Sequence, residues 1–453
     1  MCFASDIRLH FLQRNWLQST SGSSFQLALS AAREEILLHS ASAHRGVVVA
    51  ERDPVQFSAA FFAAMMEGMP VLLANPAWQA REWEQLYGCL PDAVLFFGSV
   101  PERPQVGADY VAPKMMPGQL YIPTGGSSGN LKFARFTWRQ LVQSCQSFFH
   151  HFGSSLTHTV CTLPLYHVSG LLQLIRAYYQ QGTIEFTELK HLQGIQQPYR
   201  LSLVPTQLQR IFNQPALLKA IQLSAKIIFV GGAAIDPRLV QRIKAEALPV
   251  QLCYGMTETA AMIAVTCLQA RDAEPAVTGF ELMPDVEVDI RPMHSQAVGV
   301  GQICIRSQRL FLGYHDADQL EAFDPYCSED FGFLDADGRL HVMGRMDGLV
   351  NTGGEKVNLL EVQTCLQQSG LVQAALVSAI PDPEWGQKLV ALYTPIHSKV
   401  DAAALKQALA DHLVDYKLPK KWIELAELPL DEKGKVQSSR LQAILDQIKL
   451  EKE

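Results

Sequence analysis

The densest set of groups able to hold an anion is the run Tyr121-Ile122-Pro123-Thr124-Gly125-Gly126-Ser127-Ser128-Gly129-Asn130-Leu131-Lys132. Gly125, Gly126 and Gly129 let backbone N–H groups turn inward with no Cβ in the way. Thr124, Ser127 and Ser128 add hydroxyl donors, and Lys132 adds a positive charge. Such a loop suits a polyphosphate. It is not the common P-loop, because no Gly-Lys-Ser/Thr follows Gly125 at the required spacing. It also reads as Gly-x-Ser-x-Gly centred on Ser127, the pattern of a hydrolase nucleophile elbow. An elbow needs a helix directly after its serine. Here Phe133-Ala134-Arg135-Phe136-Thr137-Trp138 is rich in strand formers, so the sequence predicts strand–loop–strand. A surface loop of the same composition is the bland alternative.

Other polar groups stand where apolar runs end. Leu163-Pro164-Leu165-Tyr166-His167-Val168-Ser169-Gly170 reads as a loop feeding a helix that carries Arg176. Leu201-Ser202-Leu203-Val204 reads as a strand ending in a Pro205-Thr206 turn. Two further strands, residues 225–230 and 250–254, open onto Gly231-Gly232-Ala233-Ala234 and Gly255-Met256-Thr257-Glu258. Strand ends that open onto glycine-rich turns are where α/β sheets bind ligands.

The elements that must position these groups follow from periodicity. Ahead of Tyr121, helical patterns at 34–38 and 81–90 alternate with apolar runs at 47–50 and 93–97, which predicts a layered α/β domain. The apolar region 57–74, broken by Glu67, Gly68 and Pro70, reads as a helix and a buried strand rather than a membrane span. From about Val277 short strands and tight turns take over, with Asp335-Ala336-Asp337-Gly338 as a hairpin turn. A boundary is expected at Arg345-Met346-Asp347-Gly348, dividing 1–346 from a small α+β domain over 347–453 with helices near 359–368 and 403–413.

Composition narrows the function classes. The 453 residues allow two or three domains. A net charge of -7 without a basic run argues against nucleic acid as partner. Met1-Cys2-Phe3-Ala4-Ser5-Asp6 lacks the pattern of a signal peptide. The 9 cysteines are scattered with no C-x-x-C pair, so reduced thiols, a cytoplasmic location and no zinc site are expected.

Taken in order, these segments resemble the adenylate-forming superfamily of acyl-CoA ligases, peptide-synthetase adenylation domains and luciferases. The likeness runs from Thr124 to Lys435: the glycine loop, Leu165-Tyr166-His167, Tyr254-Gly255-Met256-Thr257-Glu258, Leu312-Gly313-Tyr314 with Ser328-Glu329-Asp330, Gly344-Arg345-Met346-Asp347, and Gly434-Lys435. Within it, residues 163–170, 202–208 and 231–235 look like the group that activates o-succinylbenzoate in menaquinone and phylloquinone synthesis. Gly125, Leu131 and Phe133 depart from the usual serine, proline and glycine of the loop, implying a different grip on pyrophosphate. Leu359 replaces a proline common after the hinge.

The resemblance implies a large N-terminal layered α/β domain with a β-rich subdomain, plus a small mobile α+β C-terminal domain. It implies ATP, Mg²⁺ and coenzyme A as co-reactants and a small-molecule carboxylic acid as substrate, with no membrane span and a homodimer left open. By the same likeness Lys435 bridges the attacking carboxylate and the α-phosphate, with Lys433 as its decoy. Thr257 donates to that phosphate, and Glu258 holds the metal. Thr124, Gly125, Gly126, Ser127, Ser128, Gly129 and Lys132 cradle the phosphates. Asp330 and Arg345 take the ribose, while Tyr254, Gly255, Gly232 and Ala233 bound the adenine. His167 gates the acyl site. Arg176, Ser202, Thr206 and Thr259 are candidates to receive the second carboxylate. Asp347 is the hinge, and Gly353 and Gly354 line a thiol tunnel. An aryl- or fatty-acyl-CoA ligase of other specificity is the alternative. A serine hydrolase on Ser127 would leave Glu258, Asp330 and Lys435 without a role. For a carrier-protein adenylation domain, a carrier segment after Glu453 would be expected.

Overall fold

Short apolar runs become buried strands here, and the polar residues at their ends decide where helices begin. The structure, a computed structural model, describes residues 9–19, 24–40, 46–91, 93–102, 115–125, 131–233, 235–268, 279–292, 299–315, 324–352, 355–382, 385–397, 400–410, 412–413, 415–431 and 436–450. Strand β1 (Leu17–Ser19) and helix α1 (Phe25–Ser40) precede an alternating series. It comprises β2 (Val47–Val49), α2 (Pro54–Met66), β3 (Val71–Leu73), α3 (Ala80–Tyr87) and β4 (Leu95–Phe97). Asp53 starts α2 by accepting from the N–H groups of Val55 and Gln56 at 2.7 and 3.0 Å, with Pro54 at the first helical position. The apolar run from 57 is thus a buried helix followed by β3. No described helix is long and apolar enough to cross a membrane.

Strands β5 (Gln119–Gly125) and β6 (Leu131–Thr137) pair antiparallel, with Thr124 opposite Lys132 and Gly125 opposite Leu131. The sheet order is β4-β2-β3-β5-β6. Strand–loop–strand is therefore what surrounds residues 126–130, which themselves lie outside the described residues. With a strand where an elbow needs a helix, the hydrolase reading of Ser127 loses its structural requirement.

Helix α4 (Trp138–Phe152) leads into the second sheet: β7 (His158–Cys161), α5 (Val168–Gln180), β8 (Thr183–Phe186), β9 (Tyr199–Leu203), α6 (Pro205–Phe212), α7 (Pro215–Ser224), β10 (Ala225–Gly231), α8 (Pro237–Ala245), β11 (Val250–Met256), β12 (Ala261–Cys267) and β13 (Glu281–Leu282). Its order is β1-β8-β7-β9-β10-β11-β12-β13, parallel as far as β11 and antiparallel beyond. The carboxyl ends of β9, β10 and β11 carry the turns singled out above, and Pro205 begins a helix rather than a simple turn.

Strands β14 (Glu287–Pro292), β15 (Gly301–Arg306), β16 (Tyr326–Leu334) and β17 (Leu340–Arg345) form an antiparallel sheet, with the 335–338 turn joining the last two. Gly338 takes φ +74°, and the Asp335 carboxylate accepts from the N–H of Asp337 and of Arg339. The small lobe follows: β18 (Leu349–Thr352), β19 (Glu355–Asn358), α9 (Leu359–Gln368), β20 (Val372–Asp382), β21 (Gly386–Pro395), α10 (Ala402–Ala410), β22 (Lys421–Glu424) and α11 (Ser438–Leu450). It packs its own core on Val357, Val362, Leu366, Leu405 and Leu409. Arg238 of α8, held by Asp236, donates to the carbonyls of Val372 and Gln373 at 3.0 and 3.3 Å and so ties the two lobes.

One expectation is corrected. Cys304 and Cys327 are not free thiols but a disulfide, 23 residues apart in sequence. They are direct partners across β15 and β16, and ladder register rather than sequence spacing brings them together. Arg309 is fully buried and is satisfied by the Asp285 carboxylate, at 2.9 Å from Nε, and by the Met262 carbonyl at 2.7 Å. Burial alone would push the Asp285 carboxyl up, but the hydrogen bonds and charge of Arg309 together hold it below its ordinary 3.8.

Removing that carboxylate strands a buried guanidinium, so Asp285→Asn should cost about 3–5 kcal/mol near neutral pH. A depressed folded pKa contributes stability above the unfolded value and loses it as pH falls through the folded one. The gap between wild type and variant in urea unfolding should therefore shrink in acid below 3.8. A gap independent of pH would contradict the pairing.

Candidate active site

Glu258 is presented by a strained turn. After β11 the chain makes a 3-10 turn over Thr257–Thr259, then two non-glycine residues in left-handed conformation, Ala260 at φ 49° and Ala261 at φ 77°. Each costs on the order of 1–3 kcal/mol unless its surroundings fix it. The fixing groups are visible. Thr259 Oγ1 accepts from the Met256 N–H at 3.1 Å and lies 3.0 and 2.7 Å from the carbonyls of Met256 and Ala261. Ser144 of α4 donates to the Ala260 carbonyl at 2.8 Å. Gly255 is required where it stands, because a Cβ there would lie 2.2 Å from the Ala261 oxygen. The outcome is a carboxylate on a residue with only 6% of its surface exposed.

That carboxylate meets the glycine hairpin. Its Oε1 accepts from Tyr314 Oη at 2.8 Å and from Thr124 Oγ1 at 3.3 Å. Tyr314 arrives on a strap laid along β6: Leu312 N–H to Arg135 O at 2.7 Å, Arg135 N–H to Gly313 O at 3.0 Å, His315 N–H to Phe133 O at 2.9 Å. The Phe311 N–H donates to the Glu258 carbonyl at 2.9 Å and pins the strap's other end. Tyr326 lies nearby, its ring and that of Tyr314 both packed edge-on against Phe311. Burial first, and the Glu258 charge second, push both phenols up, so both keep their protons as donors. Lys132, exposed, sits 5.2 Å from the centre of the Tyr314 ring. Tyr314 was legible only as part of a motif, and nothing in the sequence flagged Tyr326.

Glu258 has no Lys or Arg partner among the described residues, and its Oε2 accepts no hydrogen bond there. No group of three or more His, Cys, Asp or Glu able to hold a metal occurs among them either. A lone buried carboxylate with one free oxygen fits Mg²⁺, which commonly takes one or two carboxylates and completes its shell with phosphate oxygens and water.

A second polar cluster lies on the neighbouring strands. Tyr254 Oη donates to Asp330 Oδ2 at 2.7 Å, and Ser328 Oγ accepts from the Asp330 N–H at 3.1 Å. Burial and then the Asp330 charge raise the Tyr254 phenol well above its ordinary value. Asp330 stands opposite Arg345 across β16 and β17, and Arg345 pairs with Glu329. Gly232, at φ +84°, and Ala233 are exposed at the end of β10.

The acyl-site candidates separate into three kinds. His167 precedes α5 in extended conformation, half-buried, with its carbonyl accepting from the N–H of Gly170 and of Leu171. Arg176, two turns further along α5, is buried with its guanidinium 4.1 Å over the Phe148 ring. Its Nε and one Nη have no hydrogen-bond partner, and burial pushes its pKa down to about 10. Ser202, near the carboxyl end of β9, and Thr206, in the first turn of α6, are half-buried. Thr259 differs from its expected role: its hydroxyl is committed to the Glu258 turn rather than to an acyl group. Gly126, Ser127, Ser128, Gly129, Gly353, Gly354, Lys433 and Lys435 lie outside the described residues. Asp347 lies in the short turn Met346–Gly348 between β17 and β18.

Comparison with known proteins agrees with this geometry. Residues 118–315 match the AMP-binding enzyme family and residues 361–435 its C-terminal domain, together more than half of the chain. The chain belongs to the AMP-binding enzymes. Among the relatives of this AMP-binding enzyme, a 2-succinylbenzoate–CoA ligase of Staphylococcus aureus is 27% identical over 316 residues. That stretch is 65% of this chain and 63% of the relative, so the match spans less than two thirds of the relative's length. An o-succinylbenzoate CoA synthetase from Bacillus subtilis, solved with its acyl-adenylate intermediate, superposes with a TM-score of 0.78. It is 20% identical and covers 96% of this chain and 97% of its own. An amide bond synthetase from Marinactinospora thermotolerans gives 0.76 at 20% identity, covering 94% and 96%. These likenesses show the adenylate-forming fold across both lobes.

Thr259→Val keeps the shape but removes the hydroxyl that closes the Glu258 turn. It should lower stability by about 1–3 kcal/mol and weaken ATP binding as well, measured by urea unfolding and calorimetry. Unchanged ATP affinity in a destabilised variant would separate the turn from the site.

Proposed function

We propose that the protein is an ATP-dependent acid–thiol ligase that activates o-succinylbenzoate and transfers it to coenzyme A. The observation that carries this reading is Arg176. Its unpaired, buried guanidinium is costly unless an anion takes its donors. A substrate with two carboxylates supplies that anion at one end and the reacting group at the other. The name of the Staphylococcus aureus relative describes such a substrate.

In the first half-reaction a carboxylate oxygen of the substrate attacks the α-phosphorus of ATP. An acyl–phosphate bond forms and the bond to pyrophosphate breaks. In the second, the coenzyme A sulfur attacks the acyl carbon and forms the thioester bond, the bond from that carbon to the bridging oxygen breaks, AMP leaves with that oxygen and its electron pair, and the thiol proton passes to solvent. Negative charge moves over phosphate oxygens in the first step, so fixed donors and cations are the main requirement. Residues 124–129 and Lys132 hold the phosphates, Thr257 donates to the α-phosphate, and Lys435 bridges it to the incoming carboxylate. Glu258 would hold Mg²⁺, which supplies charge neutralisation between phosphate oxygens. Asp330 accepts the ribose hydroxyls with Arg345 beside it, and Tyr254 lies against the adenine. His167 positions the reacting carboxylate at the mouth of the slot. Asp347 is the hinge between lobes 1–346 and 347–453, letting Lys435 withdraw and Gly353 and Gly354 admit the thiol. ATP, Mg²⁺ and coenzyme A place the reaction in the cytoplasm.

Incubation with ATP, Mg²⁺, coenzyme A and a panel of acids, read by mass spectrometry, should give AMP and a thioester from o-succinylbenzoate. Turnover of simple benzoates or fatty acids in its place would overturn the substrate. Arg176→Leu should reduce kcat/KM for o-succinylbenzoate about 100-fold, the loss of a buried charge pair worth ~3 kcal/mol, with ATP affinity retained. Lys435→Ala should abolish adenylation yet leave thioester formation from a supplied acyl-adenylate largely intact. Equal loss of both steps would contradict its role.

A further inference from the structure

We propose that Tyr314 is a positioning residue for the metal: with Thr124 it occupies one oxygen of Glu258 and leaves the other as the ligand. Both hydroxyls donate to Oε1, at 2.8 and 3.3 Å, and among the described residues no donor reaches Oε2. A carboxylate with two donors on a single oxygen cannot rotate freely, because rotation breaks both bonds. The free oxygen thus has a fixed direction before any cation arrives. Outer-shell partners of this kind orient ligands and typically alter metal affinity 10–100-fold.

Tyr314 is itself fixed from three sides. The strap on β6 sets its backbone, with Ala134 as its bridge partner. Phe311 packs edge-on against both Tyr314 and Tyr326, with ring centres 5.0 and 5.1 Å away. Lys132 over the Tyr314 ring adds a cation–π contact that ties the same phenol to the flank of the phosphate loop.

The inference rests on Glu258 as the metal carboxylate, and the test separates the two. Mn²⁺ serves as probe with the full-length protein, followed by electron paramagnetic resonance. The quantity read is how much Mn²⁺ tightens ATP binding relative to ATP with EDTA. Glu258→Gln should abolish the tightening. Tyr314→Phe should reduce it roughly tenfold, leaving metal-free ATP affinity and the thermal midpoint near wild type. If Tyr314→Phe does not fold, Thr124→Val removes the other donor to Oε1 and should weaken the tightening in the same direction. Full tightening in Glu258→Gln would defeat the metal assignment. Loss there with full tightening in Tyr314→Phe, or in a substitute Thr124→Val, would defeat the positioning role alone.

Discussion

Three segments distant in sequence converge on the carboxylate of Glu258. Thr124 comes from the glycine hairpin, 134 positions away, and Tyr314 from the strap, 56 positions away. Neither donor is charged, and no cation offsets the carboxylate among the described residues. Among the described residues hydroxyls alone contact this buried carboxylate, an arrangement that holds only while the surrounding backbone stays in place. The strained Ala260–Ala261 turn, Thr259, Ser144 and the β6 strap provide that rigidity.

The same constraint orders the rest of the molecule. Joining hairpin and strap to Glu258 fixes one sheet against the other. The strap precedes β16 in sequence, which carries Asp330 opposite Arg345, and Tyr326 of β16 packs on Phe311 of the strap. The small lobe is built differently. It has its own core and touches the large lobe through few polar contacts, among them Arg238 to the Val372 and Gln373 carbonyls and Asn358 to the Met343 carbonyl at 3.0 Å.

Much of this was legible in the sequence. The apolar runs, the hairpin about residues 126–130, the 335–338 turn and the helices of the small lobe all follow from periodicity and turn chemistry. Tyr254 and Glu258 stood out because a glycine-rich strand end marks them, and Asp330 because its segment resembles a family motif. What escaped is set by tertiary register. Thr259 looks like a pocket hydroxyl until its partners are seen to be backbone groups of its own turn. Tyr326 carries no local signal, since what it touches is Phe311 of the strap, which only the fold brings beside it. Cys304 and Cys327 meet only because β15 and β16 align them. Arg176 could be placed on a helix, but whether it was buried and unpaired was beyond the reach of spacing.

On the proposed function, the Glu258 cluster is where a carboxylic acid takes the adenylyl group of ATP and pyrophosphate leaves. The direct measurement is incorporation of labelled pyrophosphate into ATP without coenzyme A, in wild type and in Glu258→Gln. Exchange should require the acid in wild type and fall by at least about 100-fold in the variant, as for lost electrostatic stabilisation of charge in a transition state. Exchange at the wild-type rate in Glu258→Gln would contradict the account.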